Sequence, residues 1–245
     1  MIYVFGAFGL NLEENTMIDM YTELDPPQSH YEYIADDRDS VIGVKSQALY
    51  FMDQIFDGWC TKQKASMLID IILASKPKTI VEIGVWGGKS LVPMATALKC
   101  FGGKIYGIDP WANDASLQGV MHDGSRQFWA TVDHEDVMRK LIYYIHEFGL
   151  DDHVELIRET SLDAPIIENI DVLHIDGNHS DITSYIDVTK WVPHVRKGGW
   201  IIFDDMNWSE QGYATTSRAV EYLNKHCHKL AEINDICLWG IWYKP

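Results

Sequence analysis

Two rhythms of apolar residues alternate along this chain. Between Thr61 and Ser75, residues Met67, Leu68, Ile71 and Ile72 recur at the spacing of a helix face, and Pro77 ends the segment. The short apolar run Thr79 to Ile83 that follows reads as a buried strand. The exchange then repeats. A helix is predicted from Ser90 to Cys100, with Pro93 tolerated in its first turn, and the Gly102–Gly103 turn leads into strand Ile105 to Ile108. An amphipathic helix from His134 to Phe148 is stopped by Gly149. Strand Val154 to Ile157, strand Val172 to Ile175, helix Ser180 to Val192, strand Trp200 to Phe203 and a helix around Ser217 to His226 complete the series. Strands alternating with helices predict an α/β protein, a doubly wound parallel sheet covered by helices on both faces. In such sheets ligands sit beyond the carboxyl ends of the strands.

Two stretches fall outside this alternation. Ala112 to His134 is a long polar insertion with the character of a lid, and Asn11 to Asp39 is acidic, with Pro26, Pro27 and several tyrosines. The expected organisation is therefore an arm or cap over residues 1–60 and one α/β domain over residues 61–245.

Candidate chemistry concentrates where strands end. VEIGVWGGKS, Val81 to Ser90, joins a strand carrying Glu82 to a glycine-rich turn and a helix start. Gly84 allows a tight turn and a close backbone approach, while Gly87 and Gly88 expose N–H groups at the positive end of the next helix. A dinucleotide fingerprint requires a second glycine where Trp86 stands, and the Glu82 carboxylate would repel a diphosphate but attract an ammonium group. A cofactor with an ammonium, a carboxylate and a nucleoside is S-adenosylmethionine. About 20 residues further on, Asp109 ends the strand of IYGIDPW, where an acid can take both ribose hydroxyls. A second constellation is carboxylate-rich: Asp176 in LHIDGNHS, and Asp204 with Asp205 in GGWIIFDDMNW, end strands expected to be neighbours. Three hard oxygen donors in one cleft suit Mg²⁺, or else Mn²⁺ or Ca²⁺.

From about Lys62 to the C-terminus these motifs resemble the class I S-adenosylmethionine-dependent methyltransferases. The likeness is greatest to the metal-dependent O-methyltransferases of the catechol and caffeoyl-CoA type and to related bacterial enzymes of sugar, cell-surface and natural-product pathways. The resemblance implies a Rossmann-like, mostly parallel seven-stranded sheet whose last strands form an antiparallel hairpin, from Leu230 to Ile233 and Ile236 to Tyr243. It implies S-adenosylmethionine held by Glu82, Gly84, Gly88, Ser90 and Asp109, with Ser161 near the adenine, although Glu159 and Thr160 fit equally well there. Trp111 either walls the adenosine or belongs to the core, the reading also given to Trp191 and Trp200. The implied metal ligands are Asp176, Asp204 and Asp205, the last standing where the family commonly has Asn. His179 occupies the place of a catalytic-base lysine; an imidazole titrates near neutrality and can take a hydroxyl proton. Its alternative roles are to cap the helix beginning at Ser180 or to pair with an acid. Asn178 could orient substrate or fit a turn, and Asn207 and Trp208 could line the substrate side or close the loop.

Composition narrows the partners. The length of 245 residues and the 47% hydrophobic content suit one α/β unit with a filled core. A net charge of -16 argues against nucleic acid, whose binding needs Lys and Arg in excess. Cys60, Cys100, Cys227 and Cys237 lie far apart without a C-x-x-C, pointing to a reduced, cytoplasmic setting, and no run has the length or flanks of a targeting or membrane segment. Self-association is left open. The reading is thus transfer of a methyl group to a hydroxyl of a small sugar, polyol or phenol, with magnesium assisting. Its rivals are a non-methyltransferase enzyme on the same scaffold, of the cephalosporin hydroxylase kind, and an inactive S-adenosylmethionine-binding protein.

Overall fold

The computed structural model describes residues 41–245; the acidic stretch Asn11 to Asp39 lies outside them. The described residues begin with helix α1 (Val41–Asp53) and continue through α2 (Lys62–Ser75), β1 (Thr79–Ile83), α3 (Leu91–Lys99) and β2 (Lys104–Ile108). Two short helices, α4 (Asn113–Ser116) and α5 (Asp123–Thr131), occupy the polar insertion, followed by α6 (His134–Glu147), β3 (Val154–Ile157) and β4 (Ile170–Ile175). Helix α7 (Asp181–Trp191) leads by a 3₁₀ turn into β5 (Val195–Phe203). A small hairpin, β6 (Ser209–Glu210) and β7 (Tyr213–Ala214), precedes α8 (Ser217–His226), β8 (His228–Asn234) and β9 (Leu238–Tyr243).

The seven-stranded sheet has the order β3-β2-β1-β4-β5-β9-β8. Its first five strands are parallel, and β9 runs antiparallel to both β5 and β8, so the C-terminal hairpin forms as expected. Apart from the buried Glu82 and His174, the interiors of the central strands are largely apolar on both sides, because helices cover both faces. One core gathers side chains of α1, α2, α3 and α6, including Phe51, Leu68, Leu91 and Leu141. The other gathers Val188 and Trp191 of α7 and Leu223 of α8 against Leu173 and Ile201. Trp191 is core, as read from the sequence, while Trp200 is only partly buried.

Several boundaries move outward. Strands β4 and β5 begin at Ile170 and Val195, earlier than the apolar runs indicate, with an irregularity in their pairing between Ile170 and Val172. Helix α1, in the stretch the sequence left without a motif, buries Val44, Ala48, Phe51 and Met52. No helix among the described residues is long and apolar enough to cross a membrane.

Register is what assembles the site. Ile83 pairs with Ile108 on one side and with Ile175 on the other, and Ile175 pairs with Phe203. The ladder extends by one residue, as Gly84 N–H donates to Ile108 (2.9 Å), Asp176 N–H to Ile83 (2.8 Å) and Asp204 N–H to Ile175 (3.0 Å). Four strands therefore end in line, and the residues just past them share one edge.

Candidate active site

The glycine turn forms one wall. Gly84 has φ +82, and a Cβ there would stand 2.0 Å from the Asp176 carbonyl oxygen, so only glycine lets the end of β1 lie against the end of β4. Gly88, at φ +81, faces the Leu141 side chain of α6, whose Cδ1 lies 2.3 Å from where a Cβ would stand. Asp109 pins the turn: one carboxylate oxygen accepts the N–H groups of Val85 (3.0 Å) and Trp86 (2.9 Å), and the other accepts that of Trp111 (2.8 Å). Burial outweighs these three donors and raises its pKa. The oxygen facing Trp111 keeps lone-pair capacity for a hydroxyl. Trp111 itself is buried, and its indole N–H donates to the Trp86 carbonyl at 2.9 Å, so it packs behind the turn as core.

Glu82 lies beneath the turn. Its side chain is 0% exposed, accepts from the Ser90 hydroxyl and lies 2.9 Å from His174 Nδ1, its cross-strand neighbour. Burial pushes the Glu82 carboxyl up to about 8 and, together with the Lys64 charge, pushes His174 down to about 3. Both shifts favour the uncharged form of each group. Ser90 and His174 both meet Oε1, while Oε2 is buried without a hydrogen-bond partner among the described residues, so Glu82 and Ser90 lie inside the turn and not on its open side. Ser161 is likewise turned inward, donating its hydroxyl to the buried Asp187, while its carbonyl accepts from Lys190 (2.8 Å) and Trp191 (3.0 Å).

The opposite wall contains a residue that sequence reasoning missed. Lys64 of α2 is only 5% exposed, and its ammonium is ion-paired with Asp204 and lies 3.5 Å from Asp176. Burial alone would lower its pKa, but Asp176, first among the nearby anionic groups, more than offsets this, and the net direction is up. Two signals were present in the sequence. Lys64 stands on the same helical stripe as Leu68 and Ile72, where a lysine faces the core, and His174 is a polar residue inside the otherwise apolar VLHI strand.

Asp205 takes the other direction from its neighbour. Its backbone is left-handed, φ +50, and its carboxylate meets His179 Nε2 at 2.7 Å. Burial works against both charges, but the hydrogen bond and mutual attraction prevail, raising the His179 pKa and lowering that of Asp205. Helix α7 is capped by the Ser180 hydroxyl, which accepts the Thr183 N–H, so His179 pairs with an acid and does not cap. The Trp208 ring meets the imidazole edge-on, with centroids 4.8 Å apart. Beside this pair opens a cleft of about 310 Å³ lined by Asp205, Asn207, Trp208, Asn234, Ile236 and Cys237. Asn178 shapes the turn before α7, its carbonyl oxygen accepting the Ser180 N–H (2.9 Å), and its amide reaches Gln118 of the insertion (3.2 Å).

The expected convergence of Asp176, Asp204 and Asp205 on one ion is not what the fold provides. Among the described residues, potential ligand atoms come within 4.8 Å of one another in two other groups, His174–Asp176–Asp204 and Asp176–His179–Asp205. Asp204 faces inward to Lys64, and Asp205 faces His179. Each carboxylate of the strand-end pair has a protein group against it, the Lys64 ammonium on Asp204 and the His179 imidazole on Asp205.

Comparison with known proteins places this geometry. The profile of a methyltransferase-domain family matches residues 81–206, just over half of the chain. Among solved structures, an O-methyltransferase from Bacillus cereus in complex with S-adenosylhomocysteine superimposes with a TM-score of 0.57 at 17% identity, covering 93% of this chain and 97% of that one. The O-methyltransferase TomG from Streptomyces achromogenes, involved in tomaymycin synthesis and bound to S-adenosylmethionine, gives 0.54 at 15% identity, covering 82% and 89%. The S-adenosylhomocysteine-bound methyltransferase PaMTH1 of Podospora anserina gives 0.52 at 14%, covering 97% and 100%. At these identities the likeness is one of fold. No curated protein matches the chain.

Proposed function

The chain belongs to the methyltransferase-domain family matched over residues 81–206, and on that premise we propose that it transfers the methyl group of S-adenosylmethionine to a hydroxyl oxygen of a small sugar, polyol or phenol. The observation that carries the proposal is the contact between Gly84 and Asp176, which brings the cofactor turn against the strand end leading to His179. Donor and acceptor sides thereby share one edge of the sheet. Solved neighbours with this fold hold S-adenosylmethionine or S-adenosylhomocysteine, which supports the same cofactor here.

The turn at Gly84 and Gly88 would hold the cofactor's amino-acid end, and Asp109 would accept a ribose hydroxyl through the oxygen that has a single backbone donor. Ser161 is less suited to an adenine contact, since Asp187 already takes its hydroxyl. When bound, S-adenosylmethionine supplies an electrophilic methyl group on sulfonium sulfur. On the other wall, neutral His179 accepts the acceptor's hydroxyl proton on the ring nitrogen that does not donate to Asp205, and the Asp205 carboxylate, 2.7 Å from Nε2, stabilises the imidazolium that results. Asp176, between the two walls, orients the hydroxyl. Holding oxygen, carbon and sulfur in line can supply about 7–11 kcal/mol through restricted geometry, so no covalent enzyme intermediate is needed. We assign no magnesium ion to these steps, because Lys64 and His179 already hold the carboxylates that would bind it. The insertion 112–134, tied to Asn178 through Gln118, serves as a lid, and the well-separated cysteines support a reducing, cytoplasmic setting.

The test is transfer of isotope-labelled methyl from S-adenosylmethionine to a panel of polyols, sugars and phenols. Label recovered in a base-stable ether, with one equivalent of S-adenosylhomocysteine formed, is expected. Label recovered only on nitrogen or carbon would replace oxygen as the acceptor atom.

A further inference from the structure

The resemblance to metal-dependent enzymes and the presence of Lys64 make opposing demands on the same two carboxylates. Asp204 is almost wholly buried, and one of its oxygens has no hydrogen-bond partner in the protein, while the other carries the Lys64 ammonium. Asp176 presents an oxygen 3.5 Å from the same ammonium. Of the other polar groups packed around the pair, His174 Nε2 lies 3.4 Å from Asp204, and Glu82 lies behind the same ring, 2.9 Å from its Nδ1. Lys64 is thus the positive charge shared by both acids, and it comes from a helix that precedes the sheet, 140 residues before Asp204.

We infer that Lys64 takes, between Asp176 and Asp204, the place that a divalent cation would otherwise take, and that the methyl-transfer site is therefore built to work without a metal ion. The geometry gives this a physical basis. A buried carboxylate must have a partner, and a tethered ammonium meets that need without depending on the ion supply of the cell. A Mg²⁺ ion binding there would have to displace the buried Lys64 ammonium from both carboxylates, or leave two like charges a few ångströms apart. Lys64 is a positioning residue in this account: it sets the side chain of Asp176, which faces the acceptor, and touches no reacting atom. The inference rests on the methyl-transfer reading for the identity of the reaction, but not for the ion pair itself.

The experiment titrates the whole protein, freed of adventitious metal, with MnCl₂ and MgCl₂ by calorimetry and by the electron paramagnetic resonance of Mn²⁺. Wild-type protein should show no saturable binding in the micromolar range, and chelator should leave its melting temperature and methyl transfer unchanged. Lys64→Met, which keeps the stem and removes the charge, should gain Mn²⁺ binding by about 100-fold or more. Adding Asp204→Asn should remove that gain, and Lys64→Arg should behave as wild type. Micromolar Mn²⁺ binding by the wild type that Asp204→Asn abolishes would overturn the inference, as would a folded Lys64→Met variant that gains none. Should Lys64→Met not fold, the wild-type and Lys64→Arg titrations decide, binding by either overturning the inference and indifference in both supporting it. S-adenosylhomocysteine titrated in parallel separates the two claims, since its failure to bind would remove the methyltransferase reading and leave the metal result standing.

Discussion

Asp109 at the end of β2 and Asp204 at the end of β5 face the same edge of one sheet, but their carboxylates are satisfied in opposite ways. Asp109 accepts three backbone N–H groups, two of them from the turn it steadies, and keeps a lone pair for a ligand. Asp204 is held by the side chain of a lysine from a distant helix and has almost no exposure. The donor wall is thus made of main chain, which tolerates substitution of neighbours, whereas the acceptor wall is made of buried charge, where removing one member leaves another unpaired. Variants on the donor wall should change cofactor affinity, and variants on the acceptor wall should change stability or turnover.

The largest effect expected is that of Asp204→Ala. It leaves the Lys64 charge buried beside a single, more distant acid, and loss of one partner of a buried pair costs about 3–5 kcal/mol. Denaturant unfolding should show that loss, and a change below 1 kcal/mol would mean that Lys64 finds water and that the two walls are not built differently. His179→Ala comes next. Turnover should fall by about 10²–10⁴ while S-adenosylhomocysteine affinity stays near wild type, and the deficit should shrink at high pH, where the acceptor hydroxyl ionises with less help. Because Asp205 holds the His179 pKa above the ordinary imidazole value, the acidic limb of the turnover profile should move to lower pH in Asp205→Asn. A limb that does not move would detach proton removal from this pair.

On the donor wall the expected effect is smaller. Asp109→Ala removes a charge-assisted hydrogen bond to ribose, worth about 1.5–3 kcal/mol, and should weaken S-adenosylhomocysteine about 10- to 100-fold in calorimetry. Unchanged affinity would confine Asp109 to holding the turn. Smallest is the pH dependence set by Glu82. Its carboxyl keeps its proton in the fold up to about 8 but gives it up near 4.5 when unfolded, so the stability it contributes is present in acid and is lost as the pH rises through that window. His174 acts in reverse, since its depressed value of about 3 against 6.5 costs stability only as the pH falls below 6.5. Asp187, raised to about 7, adds to the same loss at lower pH. Between these values of about 7 and about 8 the melting temperature of wild type should therefore decline, and Glu82→Gln should flatten the slope.

The contrast between the walls also explains what could be read from sequence. Strands β1, β2, β4 and β5 are apolar runs whose ends are marked by Gly84, Asp109, Asp176 and Asp204, and a parallel sheet aligns such ends without further information. The side-chain network needed the third dimension. KQKASMLID places Lys64 on the i, i+4, i+8 stripe of Leu68 and Ile72, but a lysine in a first helical turn also reads as solvated, and only the folded structure shows that this one is buried. The sequence DD does not say which acid turns inward; the left-handed backbone at Asp205 decides it. Glu82 stands beside the turn in sequence, but only its register opposite His174 and the reach of Ser90 show that its carboxyl is buried beneath it. The insertion was visible as polar, though its two short helices, which bury no residue fully, carried no periodic signal.

The central claim is that the turn held by Asp109 is a nucleoside-cofactor site of a methyltransferase, and it is tested most directly by mass spectrometry of the small molecules released when the purified protein is denatured. The account predicts S-adenosylmethionine or S-adenosylhomocysteine, near one per chain after saturation with either and strongly reduced in Asp109→Ala. Release of a nicotinamide dinucleotide in their place, or retention of neither nucleoside by a folded and saturated wild type, would contradict it.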